Sequence, residues 1–160
     1  MKKIDSYVHD MNWATVENLF ASKSNYRMYQ YDLIRNYVGK NILEVGSGNR
    51  EFTHLLVKEN KDLERIYSIE PSKTLYDNPR SNYKFPPFVH FENIDLFHLK
   101  NENIGQFDTI VFIHVLEHIE KDRKALEVSC DLLKKDGQIL IEVPALPLLF
   151  SKHDESVGHY

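Results

Sequence analysis

The chain has 160 residues, and its 20 Lys and Arg against 24 Asp and Glu give a formal net charge of −4. Its length fits one compact domain, and 42% hydrophobic with 28% charged residues is typical of an ordinary soluble globular protein. This mildly acidic balance disfavours broad nucleic-acid binding, which needs a basic face. We expect a single domain with N-terminal helices over 1–40, an α/β core over 41–144 and a tail over 145–160.

Cysteine content and apolar runs exclude several other classes of protein. Cys130 is the only cysteine, which excludes a disulfide framework and a thiolate zinc cluster, and we expect it to pack in the core. No apolar run reaches the ~18–20 residues that span a bilayer. The two lysines near the N-terminus precede no apolar segment of the kind found in a signal peptide. A cytoplasmic protein without membrane contacts is therefore expected.

Helical and strand periodicities alternate along the chain. In chain order they predict a helix over 10–37, a strand over 41–45, a helix around 52–57, a strand over 65–70, a loop with at most one short helix over 71–87, strands over 88–91 and 107–113, a helix over 122–135 and a strand over 138–143. Gly39 stands where a helix C-cap belongs. The tyrosines of the first helix are predicted to lie in its core: Tyr26, Tyr29, Tyr31 and Tyr37. This alternation predicts a doubly wound, mostly parallel α/β sheet of five strands.

Glycine or polar residues follow four of the predicted strands. Ligands of open parallel sheets bind beyond the carboxyl ends of the strands. The first strand ends in Gly46-Ser47-Gly48, and glycine lets backbone approach a ligand closely. Glu70 follows 70 − 48 = 22 residues later, at the distance where an acidic residue accepts hydrogen bonds from ribose hydroxyls. Alone, the glycines fit a tight turn and Glu70 fits a solvated strand end, but together they predict an adenosine-bearing cofactor.

The residue types around the glycines disfavour a dinucleotide. A dinucleotide fingerprint requires a third glycine, and this chain has Glu51 there. A carboxylate at that helix N-terminus would repel a pyrophosphate. A ligand without phosphate and with its own positive charge tolerates Glu44 and Glu51 better, so NAD and FAD are not expected.

Several segments together resemble class I S-adenosylmethionine-dependent methyltransferases. They are ILEVGSGNREFTHLL over 42–56, YSIEPS, NIDL, FDTIVFIHVLEHIEKD and LLKKDGQILIEVP, in the family's order. The resemblance covers about residues 25–160, and the tail HDESVGHY is similar to small-molecule methyltransferases. It implies a Rossmann-like fold and methyl transfer from S-adenosylmethionine, leaving S-adenosylhomocysteine, to a small molecule, with oxygen of a sugar or other metabolite as the acceptor.

The resemblance also implies which residues contact the cofactor. Glu70 binds the ribose hydroxyls, Asp95 meets the adenine amino group, and the His114 carbonyl accepts from the cofactor's ammonium. Leu96 offers its amide to the adenine ring and sandwiches it with Ile69. Gly46 and Gly48 lie against the methionine part of the cofactor, and Glu44 helps to bind it through water or backbone amides. The full set of expected cofactor-binding residues is Glu44, Gly46, Ser47, Gly48, Glu70, Pro71, Asp95, Leu96 and His114.

Two features depart from the family pattern. Arg50 stands where the family commonly has a small residue, which predicts a looser loop or an altered site. The family fold has seven strands, whereas this chain predicts five, so the strand over 138–143 becomes an apolar edge. We expect a homodimer through this edge, in which the same patch meets itself.

The segment His114-Val115-Leu116-Glu117-His118 carries the candidate catalytic chemistry. Its H-x-x-E-H pattern is also that of an inverted zinc peptidase, which needs both histidines on one helix. Because His114 follows a strand directly, methyl transfer is favoured over zinc hydrolysis, and no metal is expected. His118 is then the candidate general base for a hydroxyl acceptor, ahead of His153 and His159.

Two further hypotheses remain open at this stage. A chain lacking the family's last two strands lacks part of the usual substrate wall, so it fits a cofactor-binding module without transferase activity as well. Tyr26 and Arg27, in the first predicted helix, are candidates to close over the cofactor.

Overall fold

The computed structural model describes residues 23–77, 82–99 and 103–144. Within these ranges five strands form one sheet in which every neighbouring pair is parallel. The strands are β1 (Asn41–Val45), β2 (Arg65–Ile69), β3 (Val89–Glu92), β4 (Phe107–Ile113) and β5 (Leu133–Glu142). The helices are α1 (Lys23–Ile34), α2 (Glu51–Glu59), α3 (Lys73–Asp77) and α4 (Asp122–Leu132), with short 3₁₀ helices over Arg35–Tyr37, Leu96–His98 and Leu116–His118. None of these helices is long and apolar enough to cross a lipid bilayer. The predicted fold class, a doubly wound and mostly parallel α/β sheet of five strands, is confirmed.

The strand order places β1 at the centre of the sheet. The order is β3-β2-β1-β4-β5, so the chain returns across the sheet between β3 and β4. Val45 at the end of β1 pairs with Ile69 on one side and with Phe112 on the other. The crevice where an open α/β sheet binds ligands therefore lies beyond the carboxyl ends of β1 and β4.

Two hydrophobic clusters cover the two faces of the sheet. Leu43 and Val45 belong to one cluster and Ile42 to the other, because successive side chains of a strand point to opposite faces. The same alternation divides β4, where Phe112 and Val111 are both fully buried on opposite faces. A strand that is covered on both faces reads as a near-continuous apolar run, which explains the apolar residues 110–113 that follow Asp108 and Thr109 in β4.

The boundaries of the last helix and strand differ from the prediction. The helix expected over 122–135 ends at Leu132, and the strand expected over 138–143 begins five residues earlier, at Leu133. The second strand ends one residue earlier than predicted, which leaves Glu70 in the loop beyond it. Boundary shifts of one or two residues are ordinary, but the early start of β5 has a specific cause.

A bulge in β5 explains that early start. Phe107 pairs with Leu133, whereas Thr109, two residues on, pairs with Gln138, so the residues between bulge out of the ladder. Gly137 lies in this bulge, where a Cβ would be 3.1 Å from the Phe107 carbonyl oxygen. Asp136-Gly137 has the residue types of a turn between a helix and a strand, but the pair lies within β5.

α1 meets the sheet along a narrow face. Its buried residues are Gln30, Tyr31 and Ile34. Of the tyrosines expected in the helix core, Tyr26 and Tyr29 on α1 and Tyr37 on the 3₁₀ helix after it are exposed. The prediction that the tyrosines form the helix core is therefore wrong except for Tyr31, because only one side of the helix faces the sheet. The earlier part of the predicted helix lies outside the described residues, with its apolar positions Trp13, Val16, Leu19 and Phe20.

Cys130 is exposed, so its predicted place in the core is wrong. α4 buries Ala125, Ser129 and Leu132, which recur at spacings of four and three. Cys130 follows Ser129 by one residue and is turned about 100° around the helix from it. That rotation carries the thiol to the outer face.

β5 forms one edge of the sheet as the described residues define it. Ile141 on β5 is 41% exposed, and Val143 just beyond it is 37% exposed. The tail predicted over 145–160 lies outside the described residues, together with His153 and His159. The homodimer expected through this edge stays a prediction, which light scattering over a concentration series would measure.

Gly39 allows a close approach to β4 and does not form the expected helix cap. Its φ is not in the left-handed region that a glycine cap requires. Its amide donates to Thr109 Oγ1 at 2.9 Å, and a Cβ on Gly39 would lie 2.2 Å from Asp108 Oδ1. Both oxygens of that carboxylate accept from the Asn41 amide at 3.0 Å. The missing side chain thus lets Asp108 hold the first residue of β1.

The substitution Gly39→Ala should lower the free energy of unfolding by about 1–3 kcal/mol, the usual cost of an extra methyl group in a packed site. The new methyl group displaces the Asp108 carboxylate from the Asn41 amide. Urea unfolding measures the loss, and the exposed neighbour variant Lys40→Ala should change stability by less than about 0.5 kcal/mol. The double variant Gly39→Ala/Asp108→Ala should lose less stability than the sum of the losses in the two single variants. Full additivity would show that this contact is not the cause.

Candidate functional site

A cleft opens beyond the carboxyl ends of β1, β2 and β4. Its lining residues are Val45, Gly46, Gly48, Ile69, Glu70, Pro71, Ser72, Leu75, Asp95, Leu96, His114, Val115 and His118. Seven of the nine residues that the sequence assigns to cofactor binding are in this lining, and so is the candidate base His118. Glu44 and Ser47 are not in the lining. The strand order thus brings together residues from four separate chain segments.

The loop after β1 is shaped by glycines with left-handed φ. Gly46 has φ +76° and Gly48 has φ +50°. A Cβ on Gly46 would lie 2.5 Å from Val115 Cγ2, so only glycine fits between this loop and the segment after β4. The amides of Gly46 and Ser47 donate to the Ile69 carbonyl at 2.8 and 3.0 Å, which holds the loop on the end of β2. A Cβ on Gly48 would meet no described atom within 4 Å, so backbone is accessible there.

Glu70 joins the glycine loop to the loop after β2. Its Oε2 accepts from the Gly48 amide at 2.8 Å, and its Oε1 accepts from the Ser72 amide at 2.9 Å. The residue is only 5% exposed. Burial raises the pKa of the Glu70 carboxyl, and the two amide hydrogen bonds oppose that rise. Because each carboxylate oxygen has a second lone pair, ionised Glu70 can accept two further hydrogen bonds from adjacent hydroxyl groups.

Asp95 and Leu96 add a carboxylate and an apolar surface to the cleft. Asp95 caps a 3₁₀ helix, where its Oδ1 accepts from the His98 amide at 3.1 Å and lies 2.7 Å from the His98 ring Nδ1. Leu96 and Ile69 are 1% and 0% exposed, yet both contribute to the cleft surface. A flat apolar ring system with polar edges would suit this part of the cleft.

Glu44 lies beneath the cleft. Its Oε2 accepts hydrogen bonds of 2.6 Å from both the Thr53 and the Ser68 hydroxyls. Burial raises the pKa of the Glu44 carboxyl, and these hydroxyls and the charge of Arg27 oppose that rise. The hydrogen bonds observed for Glu44 therefore go to hydroxyls of α2 and β2, and not to the backbone amides that the resemblance implies. Its observed place is structural support below the glycine loop.

The H-x-x-E-H segment does not form the helix that a zinc site requires. His114 follows β4 with a left-handed φ of +54°, and its amide donates to the Glu142 carbonyl at 2.9 Å. His118 ends a 3₁₀ turn, so the two histidines lie on different elements. Glu117 Oε1 lies 3.3 Å from His114 Nδ1. No group of three or more His, Cys, Asp and Glu residues in the described ranges is placed to hold a metal ion. The zinc-hydrolase hypothesis is not supported.

A polar network joins α1 to the ends of β4 and β5. The Tyr26 hydroxyl lies 3.0 Å from His114 Nε2 and donates to Glu142 Oε1 at 3.3 Å. Gln30 Nε2 donates to the same oxygen at 2.7 Å, and Arg27 Nη1 donates to Gln30 Oε1 at 2.9 Å. Tyr26 thus lies beside His114 of the cleft, and Arg27 joins the same network through Gln30, while their closure over a cofactor stays a prediction.

Some residues around the cleft carry only weak sequence signals. Gln30 is completely buried on α1, and its one sequence signal is that it lies four positions before the apolar Ile34, on the same side of the helix. Ser72 and Leu75 follow a Glu-Pro pair, and a serine before a helical stretch is an N-cap signal that points to this short helix. Val115 is apolar and next to His114, so its packing against Gly46 is visible only in three dimensions.

Residues 19–160 match a protein family described as a methyltransferase domain. No curated protein matches the chain.

Several solved structures that share this fold are described as methyltransferases. One from Haloferax volcanii, solved with the Trm112 methyltransferase activator, is 17% identical with a TM-score of 0.65, and the match covers 82% of this chain and 57% of that one. A second, the S-adenosylmethionine-dependent methyltransferase of Thermotoga maritima, is 16% identical with a TM-score of 0.63, covering 81% and 57%. The N-methyltransferase NodS of Bradyrhizobium japonicum, in complex with S-adenosylhomocysteine, is 19% identical with a TM-score of 0.61, covering 73% and 59%. The chain therefore spans slightly more than half the length of these proteins, and the likeness establishes the fold.

The raised pKa of Glu44 predicts a pH dependence of stability. A carboxyl with a raised folded-state pKa stabilises the fold fully below its ordinary value of 4.5, and this contribution is lost as the pH rises through the folded-state pKa. Glu44→Gln keeps an acceptor for the two hydroxyls and carries no charge. Urea unfolding between about pH 5 and pH 8 should show a smaller loss of stability in this variant than in the wild type. The exposed control Glu64→Gln should follow the wild type, and a Glu44→Gln curve parallel to the wild-type curve would contradict the prediction.

Proposed function

This chain belongs to the methyltransferase-domain family, and from that premise we propose that it binds S-adenosylmethionine and transfers the methyl group to a small-molecule acceptor, leaving S-adenosylhomocysteine. The observation that carries the proposal is the Glu70 carboxylate, which two backbone amides hold beside the glycine loop where the strand order reverses. The presence of S-adenosylhomocysteine in the structure of NodS, which shares the fold, supports the choice of cofactor.

The residues of the cleft fit the parts of this cofactor. We assign the ribose hydroxyls to Glu70, whose two oxygens each retain an acceptor lone pair. The adenine would lie on the apolar surface of Ile69 and Leu96, with its amino group toward Asp95. The glycine loop presents backbone without side chains and suits the methionine part, whose ammonium would meet the carbonyl of His114.

Charge around the cleft favours this cofactor over a dinucleotide. Glu51 begins α2 and pairs with Arg27 at 3.7 Å, so a carboxylate occupies the helix N-terminus. A pyrophosphate at that position would be repelled, whereas a sulfonium and an ammonium would not.

Methyl transfer from this cofactor requires little covalent chemistry from the chain itself. The bound cofactor supplies a methyl group that its sulfonium already activates. The chain's own residues then have to align the acceptor with that methyl group and exclude water. The buried strand ends and Val115 supply a water-poor surface there, and His114 is held by hydrogen bonds from α1 and β5.

Calorimetric titration tests the cofactor assignment. S-adenosylhomocysteine should bind and NAD should not. Glu70→Ala should weaken S-adenosylhomocysteine binding by about 1.5–3 kcal/mol, the range for hydrogen bonds to a charged group. The control Glu64→Ala, near the other end of β2, should leave the affinity unchanged. Tight NAD binding without a response to S-adenosylhomocysteine would overturn the proposal, and an unchanged affinity in Glu70→Ala would place the ribose elsewhere.

For the acceptor we propose an oxygen nucleophile on a sugar or other metabolite, with His118 as the general base. A hydroxyl acceptor must lose its proton, and a histidine titrates near neutrality. His118 lies in the cleft lining at the end of the 3₁₀ turn after β4. We also propose a cytoplasmic setting, because a chain with a single exposed thiol suits a reducing compartment.

The variant His118→Gln tests that role. Release of S-adenosylhomocysteine over a panel of sugars and other hydroxyl metabolites should identify the acceptors of the wild-type protein. With such an acceptor, His118→Gln should lower the rate roughly 10²–10⁴-fold and flatten its rise with pH. His90→Gln, an exposed histidine on β3, should keep the wild-type rate and pH profile. An unchanged rate in His118→Gln would remove His118 from the mechanism, and cofactor binding without transfer to any acceptor would favour a cofactor-binding module.

A further inference from the structure

One wall of the cleft is built from a helix that cannot hold itself in place. Ser72 and Leu75 line the cleft, and they lie just before and within α3. α3 has five residues and none of them is buried. Isolated helices shorter than about 12–15 residues are marginal in water, and α3 buries no side chain that would anchor it. Contacts from other elements must therefore hold this wall, the segment 72–77.

Arg50 supplies such contacts from the end of the glycine loop. Its Nη2 donates to the Tyr76 carbonyl at 3.0 Å. That carbonyl belongs to the last turn of α3, where carbonyls lack intrahelical partners and a cation is favourable. The guanidinium carbon lies 4.1 Å from the centroid of the Phe91 ring and 5.5 Å from that of Tyr76. The Tyr76 hydroxyl in turn donates to the Phe91 carbonyl at 3.3 Å. One side chain thus joins the start of α2 to both α3 and β3.

The backbone of Arg50 shows that these contacts come at a conformational cost. It has φ +66° at the N-cap position of α2, without a side-chain capping bond. Glycine adopts that conformation with less strain. The loop is nevertheless closed, because the Arg50 amide donates to the Ser47 carbonyl at 2.8 Å. The looser loop expected from an arginine at this position is not observed, and its side chain is committed to the wall.

We infer that Arg50 is a positioning residue, which fixes the wall formed by the segment 72–77 against the glycine loop so that the cofactor cleft is preformed. Two ties then join the same two segments. Glu70 bridges the amides of Gly48 and Ser72 at the inner end, and Arg50 holds Tyr76 at the outer end. This inference rests on the proposed cofactor binding. When only a fraction of molecules has the wall in place, the apparent dissociation constant rises in inverse proportion to that fraction.

The variant Arg50→Gly tests the inference, because glycine keeps the left-handed backbone and removes only the side chain. Amide hydrogen exchange of the segment 72–77 in the ligand-free protein should be faster than in the wild type, while exchange in β1 should not change. The affinity for S-adenosylhomocysteine should fall roughly tenfold, as it would if about a tenth of the molecules had the wall in place. Arg50→Lys keeps the charge but not the planar fork, so it should restore part of both effects.

Arg65 provides a matched control. Its guanidinium carbon lies 5.1 and 5.3 Å from the ring centroids of Tyr67 and Phe107, so it makes the same kind of contact as Arg50. It lies at the amino end of β2, whereas the cleft lies at the carboxyl end. Arg65→Ala should change neither the exchange of the segment 72–77 nor the affinity for S-adenosylhomocysteine.

The two measurements separate failure of the inference from failure of the proposed function. If the wild-type protein does not bind S-adenosylhomocysteine, the proposed cofactor is wrong, while exchange still tests whether Arg50 holds the wall. Unchanged exchange of the segment 72–77 in Arg50→Gly overturns the inference, whatever happens to the affinity. Faster exchange with an unchanged affinity also overturns it, because the wall would then not contribute to binding. Equal effects in Arg65→Ala and Arg50→Gly would show general loosening of the fold.

Discussion

The structure depends on the central position of β1, which pairs in parallel with β2 on one side and β4 on the other. This pairing brings three strand ends to one edge of the sheet although their residues are far apart in the chain. The Ile69 carbonyl, at the end of β2, accepts from two successive amides of the loop that leaves β1. The glycine loop is therefore held by a neighbouring strand, and the strand order determines the shape of the cleft.

Two buried carboxylates lie close to this edge, and different hydrogen-bond donors offset the free-energy cost of burying each of them. Glu44 is surrounded by hydroxyl donors below the loop, whereas Glu70 is held by backbone amides at the surface of the cleft. Burial raises the pKa of both, so both weaken the fold as they ionise. For Glu44 the hydroxyl bonds tie α2 to the sheet. For Glu70 the amide bonds tie the glycine loop to the loop after β2, and the carboxylate is part of the cleft lining.

The site is supported at its periphery by arginines and aromatic rings in preference to a larger core. Arg50 reaches α3 and β3, and Arg27 reaches the Gln30–Glu142 contact between α1 and β5. Arg50 connects two elements that contain no buried residue, α3 and β3. Such contacts are directional, which suits walls that must keep a defined distance from a ligand.

Local patterns in the sequence predict the fold class, the order of the elements and most of the cleft lining. These patterns are apolar runs for strands buried on both faces, glycines at a loop that needs left-handed φ, and polar residues at strand ends. Other features required the tertiary structure. Gly39 and Gly137 are glycines because β4 approaches them, and no local pattern records the distance between two strands. Cys130, Tyr26 and Tyr29 are exposed against the prediction, because periodicity identifies a helix better than it identifies how wide a face the rest of the protein covers. Arg50 departs from the family pattern in sequence, and only the rings and carbonyl around it show what its side chain holds, since cation–ring contacts join segments that are distant in the chain.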